Sequence, residues 1–343
     1  MHFRSSSSSL LSAACVVIAV AAFAVRSADA WGAQGHQITA AIAQALLTPE
    51  ANNYVIRMLP TSDNKSLAVA STWADDIKNQ AQWKWTQPLH FIDTPDFACN
   101  YNYNRDCIDV GTGTKDACVA GAINNYTGIL VNAGPKDVSE LLQDSLKFVD
   151  HFIGDIHQPL HVGFTSDLGG NTIEVNYNGV NVNLHAFWDY SAISNRIDVD
   201  FNGDQNAYVN YLLQKIHSGW GGYVAMWNNS CNAVACPDIW ATESVIFACN
   251  SSYADINRNI TTVITTAYYN RAIDVIEQRL AAGGIRLGAS LNRVAMSVND
   301  TANNAMVGAV IGSVLGAVVL VIVAALVVAA LRKRRGRTGY TTI

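Results

Sequence analysis

One run constrains this chain more than any other. Residues 148–190 read FVDHFIGDIHQPLHVGFTSDLGGNTIEVNYNGVNVNLHAFWDY, and His151, His157, His161 and His185 put four of the eight histidines within 35 positions. Two pairs, His151/Asp155 and His185/Asp189, are separated by four residues. On an α-helix that spacing sets both side chains on one face, about 5–6 Å apart at Cβ. An imidazole and a carboxylate so placed are what one helix turn offers a zinc ion. One pair alone reads more readily as a surface hydrogen bond. Two pairs flanking His161, behind the helix-ending Pro159, read as a metal site.

The two ends bound the remainder. Residues 1–30 combine Arg4, an apolar run from Leu10 to Val25 and Ala28-Asp29-Ala30, the pattern of a cleaved secretory signal. Cleavage after Ala30 makes Trp31 the N-terminus. Ala305–Leu331 is 27 residues without a charge, long enough to cross a bilayer, and Arg332, Lys333, Arg334, Arg335 and Arg337 follow at once. Basic residues stay cytoplasmic. The expectation is a single-pass type I protein of the plasma membrane, with residues 31–296 outside, a stalk over 297–304 and a 12-residue inner tail. A GPI signal fits less well, because such tails lack a basic flank.

Seven of the 22 basic residues and one of the 27 acidic ones fall in those end segments, which leaves 15 and 26 and a formal charge of −11. That balance argues against holding duplex nucleic acid by phosphate neutralisation. Six cysteines remain: Cys99, Cys107, Cys118, Cys231, Cys236 and Cys249. An even count in a secreted domain reads as three disulfides. Connectivity is open, although short loops favour Cys107–Cys118 and Cys231–Cys236 and leave Cys99–Cys249. Sequons stand at Asn64, Asn125, Asn228, Asn250, Asn259 and Asn299.

Apolar periodicity predicts helices from about Ile38, after Thr48-Pro49, over Ser71–Gln80, Ala120–Leu130, Ser139–His157, Leu184–Ser191, Ala207–His217, Thr242–Ala248 and Ala254–Leu280. The stretch from Trp83 to Asp93 reads as extended or loop. Ile173, Val175 and Tyr177 alternate before Asn178-Gly179, a type I′ hairpin signal. The fold class is mainly α with one small hairpin, followed by the C-terminal membrane helix.

Other groups could join the histidine-rich run. His36 lies five residues past Trp31, Asp75 lies on a short predicted helix, and His90 precedes Phe91-Ile92-Asp93. Each alone is weak. At this set of residues WGAQGH, ADDIK, LHFID, HFIGDIHQPLH, GGN and NLHAFWD resemble the zinc-dependent, single-strand-specific nucleases of fungi and plants, from Trp31 to about Leu280. The membrane anchor is similar to that of trypanosomatid surface 3′-nucleotidase/nucleases. The resemblance implies a helical fold shared with zinc-dependent phospholipase C and three Zn2+ in one cleft. It implies that Asp75, His90, His151 and Asp155 hold one ion. The amine and carbonyl of Trp31, with His36 and Asp155, would hold the second. His161, His185 and Asp189 would hold the third. His157 and His217 stay outside.

The bridged pair would acidify a water for attack on phosphorus, and the third ion would stabilise the departing 3′-oxygen. Lys78 would neutralise a phosphoryl oxygen, unless it is a solvated lysine. Phe91 would stack a base and Asp93 would bind its edge, unless Phe91 is plain core. The expected substrates are therefore single-stranded RNA or DNA and 3′-nucleotides, with salvage as the role. A phospholipase C on the same scaffold is the alternative. An adhesion ectodomain with structural zinc is the third reading, and the open ligand sets weigh against it.

Overall fold

A computed structural model describes residues 31–229 and 231–300. The expected signal, the membrane span Ala305–Leu331 and the basic tail lie outside the described residues. Among the described residues, no helix is long and apolar enough to cross a membrane.

Helices dominate, and their boundaries follow local chemistry. Thr48 Oγ1 accepts the Ala51 amide at 3.2 Å and Pro49 opens the Pro49–Met58 helix. Ser139 caps Glu140–Asp155 in the same way, through the Leu142 amide at 3.3 Å. Val119–Val131 packs along Glu140–Asp155. One core gathers Leu146, Phe148, Val149 and Phe152 with Ile123, Tyr54 and Trp240. A second gathers Trp31, Phe187, Trp188, Tyr208 and Ile276. Two of the long helices serve both cores. Ala33–Ala45 gives Ala40 and Ala43 to the first and Ile38 and Ile42 to the second, while residues 266–300 give Leu287 and Leu291 to the first and Ile276 and Leu280 to the second.

The hairpin pairs β1 (Glu174–Tyr177) with β2 (Val180–Asn183), antiparallel, with Val175 opposite Val182. Asn178 and Gly179 have φ of 53° and 82°, the left-handed pair that a type I′ turn demands. A third strand, β3 (Thr262–Val263), adds in parallel to β1 and was not foreseen. It also corrects the helix expected over Ala254–Leu280. Asp255 sits at φ 63° and Thr265 Oγ1 accepts the Tyr268 amide, so the helix starts at residue 266 and continues through residue 300. The first residues of the expected stalk are thus helical. Lys84–His90, expected to be extended or loop, is a 3₁₀ helix with Pro88 inside it. The disulfides are Cys99–Cys249, Cys107–Cys118 and Cys231–Cys236. All six sequon asparagines are exposed.

Candidate metal centre

The Glu140–Asp155 helix is amphipathic, and its last turn carries His151 and Asp155 with Nε2 and Oδ2 3.2 Å apart. Beyond it the chain turns sharply into Pro159, and the freed carbonyls find partners. His157 Nδ1–H donates to Ile153 O at 2.7 Å, Ser244 Oγ donates to Ile156 O at 2.5 Å, and Arg279 Nε donates to His157 O at 3.1 Å. His157 Nε2 accepts from buried Arg286 at 3.0 Å, so this histidine is structural. Gly154 lets the Ala33–Ala45 helix approach: a Cβ there would lie 2.8 Å from His36 Nδ1. His36 then stacks on His151, ring centroids 3.8 Å apart, and its Nε2 faces Asp155 Oδ1 at 3.2 Å.

Asp75, from Trp73–Ile77, and His90, closing the 3₁₀ helix, complete a second set. His90 Nδ1 lies 3.0 Å from Asp155 Oδ2, 3.1 Å from His151 Nε2 and 3.5 Å from Asp75 Oδ1. His151 Nε2 is also 3.5 Å from Asp75 Oδ1. Four donors around a zinc ion at about 2.0–2.1 Å stand about 3.3 Å from one another. The spacing observed is that of a tetrahedral shell. His161, His185 and Asp189 form the third set: the two Nε2 atoms are 3.1 Å apart and His185 Nε2 is 3.0 Å from Asp189 Oδ2.

On three of the five rings, the far side places a proton. A carbonyl only accepts, so Nδ1 carries the proton where His151 meets Ser71 O at 2.6 Å, His161 meets His90 O at 2.8 Å and His185 meets Gly169 O at 2.6 Å. Each Nε2 therefore faces its cluster and, in the neutral ring, presents a lone pair to it. Among the described residues, buried His36 Nε2, Asp155 Oδ1 and Asp189 Oδ2 lack any hydrogen bond despite these close neighbours. Orphaned donors at ligand spacing fit a cation. Three such groups arise: His36/His151/Asp155, Asp75/His90/His151 and His161/His185/Asp189.

Burial alone would raise the Asp155 carboxyl, but His151, His36 and His90 around it hold it well below the usual range. Asp75 is lowered likewise, against its burial, by His151, Lys78 and His90. Burial pushes the His161 imidazole down to about 4, which keeps it a neutral ligand in mild acid.

Eight of the nine sequence-derived metal candidates, all but Trp31, fall in these three groups. Trp31, the first described residue, is fully buried, and Gly32 N donates to Asp189 O at 3.1 Å. Lys78 Nζ donates to Asp75 Oδ1 at 2.7 Å. Phe91 is 39% exposed and so is not core. With Asp93, Pro88, Ile108 and Asp109 it lines a cavity of about 200 Å³. Burial, and then neighbouring Asp109, push the Asp93 carboxyl up to about 6. His217, left out from the start, belongs to none of the three groups. The supports were missed: the carbonyls of Ser71 and Gly169, and Gln158, whose Nε2 donates to Asp189 Oδ1 at 2.5 Å. Only Gln158 left a signal, since it stands inside HQPLH.

A mainly helical domain with three His/Asp donor groups, two of them sharing His151, defines a metal-dependent enzyme class. Residues 31–296 match the S1/P1 nuclease family, and the chain belongs to it. It is 41% identical to Endonuclease 3 of Arabidopsis thaliana over 275 residues, covering 79% of this chain and 90% of that protein. To Nuclease S1 of Aspergillus oryzae it is 33% identical, covering 77% and 92%. To Nuclease P1 of Penicillium citrinum it is also 33% identical, covering 77% and 97%. The protein is a hydrolytic nuclease of a zinc-dependent, single-strand-specific family.

Proposed function

We propose that this chain cleaves single-stranded RNA and DNA to 5′-nucleotides and releases phosphate from 3′-mononucleotides, with three Zn2+ bound. The observation that carries the reading is the donor arrangement: Asp155 offers Oδ2 to the Asp75/His90/His151 set and Oδ1 to His36, 3.2 Å away. Asp155 would bridge two ions, with Trp31 joining His36 at the second. His161, His185 and Asp189 would hold a third. When bound, zinc supplies Lewis acidity toward phosphoryl oxygens and lowers the pKa of water.

The chain's own groups do the rest. Lys78 sets a positive charge beside the Asp75 ligand, where a phosphoryl oxygen would sit. Phe91 offers an exposed ring to a base, and stacking of that kind tolerates any sequence. Stacking needs an unpaired base, which accounts for single-strand preference in a protein with a formal charge of −5 over its full length. Asp93, beside the ring, binds the base edge. Attachment through Ala305–Leu331, with residues 31–296 facing outward, would place the reaction at the cell surface and suit nucleotide salvage. Exposure of Asn64, Asn125, Asn228, Asn250, Asn259 and Asn299 is compatible with glycosylation there.

The test is phosphate release from 3′-AMP by zinc-loaded protein, with 5′-AMP as control. Release from 3′-AMP alone, abolished by a chelator, supports the reading. Inertness toward 3′-AMP together with turnover of phosphatidylcholine would replace it with the phospholipase C alternative.

A further inference from the structure

Beside the metal centre, three segments meet in a patch that the proposed reaction leaves unused. Phe97 is 73% exposed, yet its backbone sits at φ 61°. Bulky residues rarely adopt that conformation, because Cβ then crowds the neighbouring carbonyl. A ring left three-quarters in solvent returns little burial for the strain, and strain that survives in this way points to function. Phe97 is pinned on both sides: Asp96 Oδ1 accepts the Ser166 amide at 3.1 Å, and Cys99 is bonded to Cys249.

The disulfide brings in the second segment, which carries Tyr253 and Arg258. The Arg258 guanidinium lies 5.1 Å from the Phe97 ring centre and 5.5 Å from that of Phe164. It is paired with Asp167, which also accepts the Tyr253 hydroxyl at 2.8 Å. The Phe164 ring stacks on Tyr253 at 4.4 Å and supports Phe97 at 5.7 Å. The result is a rigid aromatic and cationic platform with one ring face open.

The platform is continuous with the centre. Ile92 N donates to His161 O at 2.7 Å, Thr94 N donates to Gly163 O at 2.9 Å and Thr165 N donates to Thr94 O at 2.9 Å. The segment holding Phe91 and Asp93 therefore runs beside the one leaving ligand His161. Phe97 is six residues beyond Phe91, at most about 22 Å along the chain. Nucleotides adjoining one held at Phe91 lie within that reach.

We propose that Phe97 and Arg258 form a second base-stacking subsite, which holds a nucleotide flanking the one at the metal centre. The proposal rests on the single-strand nuclease reading above. An aromatic face and an arginine together attract any base, by stacking and cation–π contact. Such a subsite serves an acidic protein that cannot rely on a basic groove. It acts on polymers only, since a mononucleotide at Phe91 does not extend to it.

The experiment measures kcat and KM for a short oligothymidylate and for 3′-AMP, on zinc-loaded protein in an Asn259→Gln background that keeps sugar off the residue beside Arg258. Phe97→Gly deletes the ring while accepting φ 61°, and Phe97→Trp keeps an aromatic face. Stacking at its usual strength predicts at least about a fivefold rise in oligomer KM for Phe97→Gly. The 3′-AMP constants stay unchanged and Phe97→Trp restores the oligomer KM. The proposal is overturned when Phe97→Gly leaves the oligomer KM unchanged, or when both substrates lose equally. Failure of the parent protein to cleave either substrate would overturn the nuclease reading and the subsite with it.

Discussion

His161 and His185 point their Nε2 atoms at each other across 3.1 Å, while the Nδ1 hydrogen of each is committed to a backbone carbonyl. Two buried imidazole nitrogens this close to each other and to Asp189 call for a cation among them, a metal ion or a proton. With buried Asp189 beside it, the contact has the geometry of a metal site, and it constrains what substitutions do.

His185→Ala removes one donor from the third set and leaves the other two intact. Native mass spectrometry should count one zinc fewer than in the parent protein. Hydrolysis of 3′-AMP should fall by about a hundredfold or more, with the melting temperature little changed in chelator. An unchanged zinc count would remove His185 from the ligands.

Gly169 offers a subtler test. It sits at φ 61°, a Cβ there would stand 2.4 Å from Leu160 O, and its own carbonyl orients His185. Gly169→Ala must move that carbonyl. Loss of such an outer partner typically costs roughly 10–100-fold in metal affinity or activity. A zinc titration should show the weakening at one site of the three, and full-strength binding at all three would refute the assigned role.

The same two residues show how much the sequence disclosed. His185 was legible because its partner Asp189 follows at helical spacing, as Asp155 follows His151. Long-range partners became legible only through resemblance: nothing local to Asp75 or His90 says that Asp155 lies 3.0 Å from the latter. Gly169 was quoted within GGN, but its role depends on a carbonyl direction, which no side-chain pattern encodes. One fold error came from periodicity itself. The apolar periodicity of residues 254–265 resembles a helix, yet Asp255 in the left-handed region and the pairing of Thr262 with Val175 override it. Phe97 gave no signal, because an aromatic residue in a loop does not announce its backbone angle.

Asp93 should make base selection depend on pH. Burial, reinforced by Asp109, raises its carboxyl from 3.8 to about 6. Between those values the folded chain keeps a proton that the unfolded chain has released, so Asp93 lowers stability as pH rises through that window. Below about pH 6 the carboxyl can donate; above it, only accept. Guanine presents N–H donors along its pairing edge, and uracil presents fewer. The ratio of kcat/KM for 3′-GMP over 3′-UMP should therefore rise through about pH 6, while proton effects on the metal centre cancel in the ratio. Asp93→Asn should flatten the curve, and an inflection surviving in that variant would assign it elsewhere.

Cleavage after Ala30, which would make Trp31 the N-terminus, gives the most demanding prediction. Trp31 is buried, with its ring against Gly35, where a Cβ would lie 2.9 Å from Trp31 Cβ. Five residues on, His36 faces Asp155 with neither atom hydrogen-bonded. With His151 given to the first ion, His36 and Asp155 alone are too few for zinc, which takes four. A free α-amine and carbonyl of Trp31 would bring the set to that number by chelation. An α-amine titrates near 7.7–8.0, so binding a metal must displace its proton. One alanine inserted before Trp31 turns the amine into an amide that cannot ligate. The inserted protein should lose one zinc and at least about tenfold in activity, and it should fold with an unchanged circular dichroism spectrum. Retention of full zinc content would show that His36 and Asp155 draw their remaining partners from solvent.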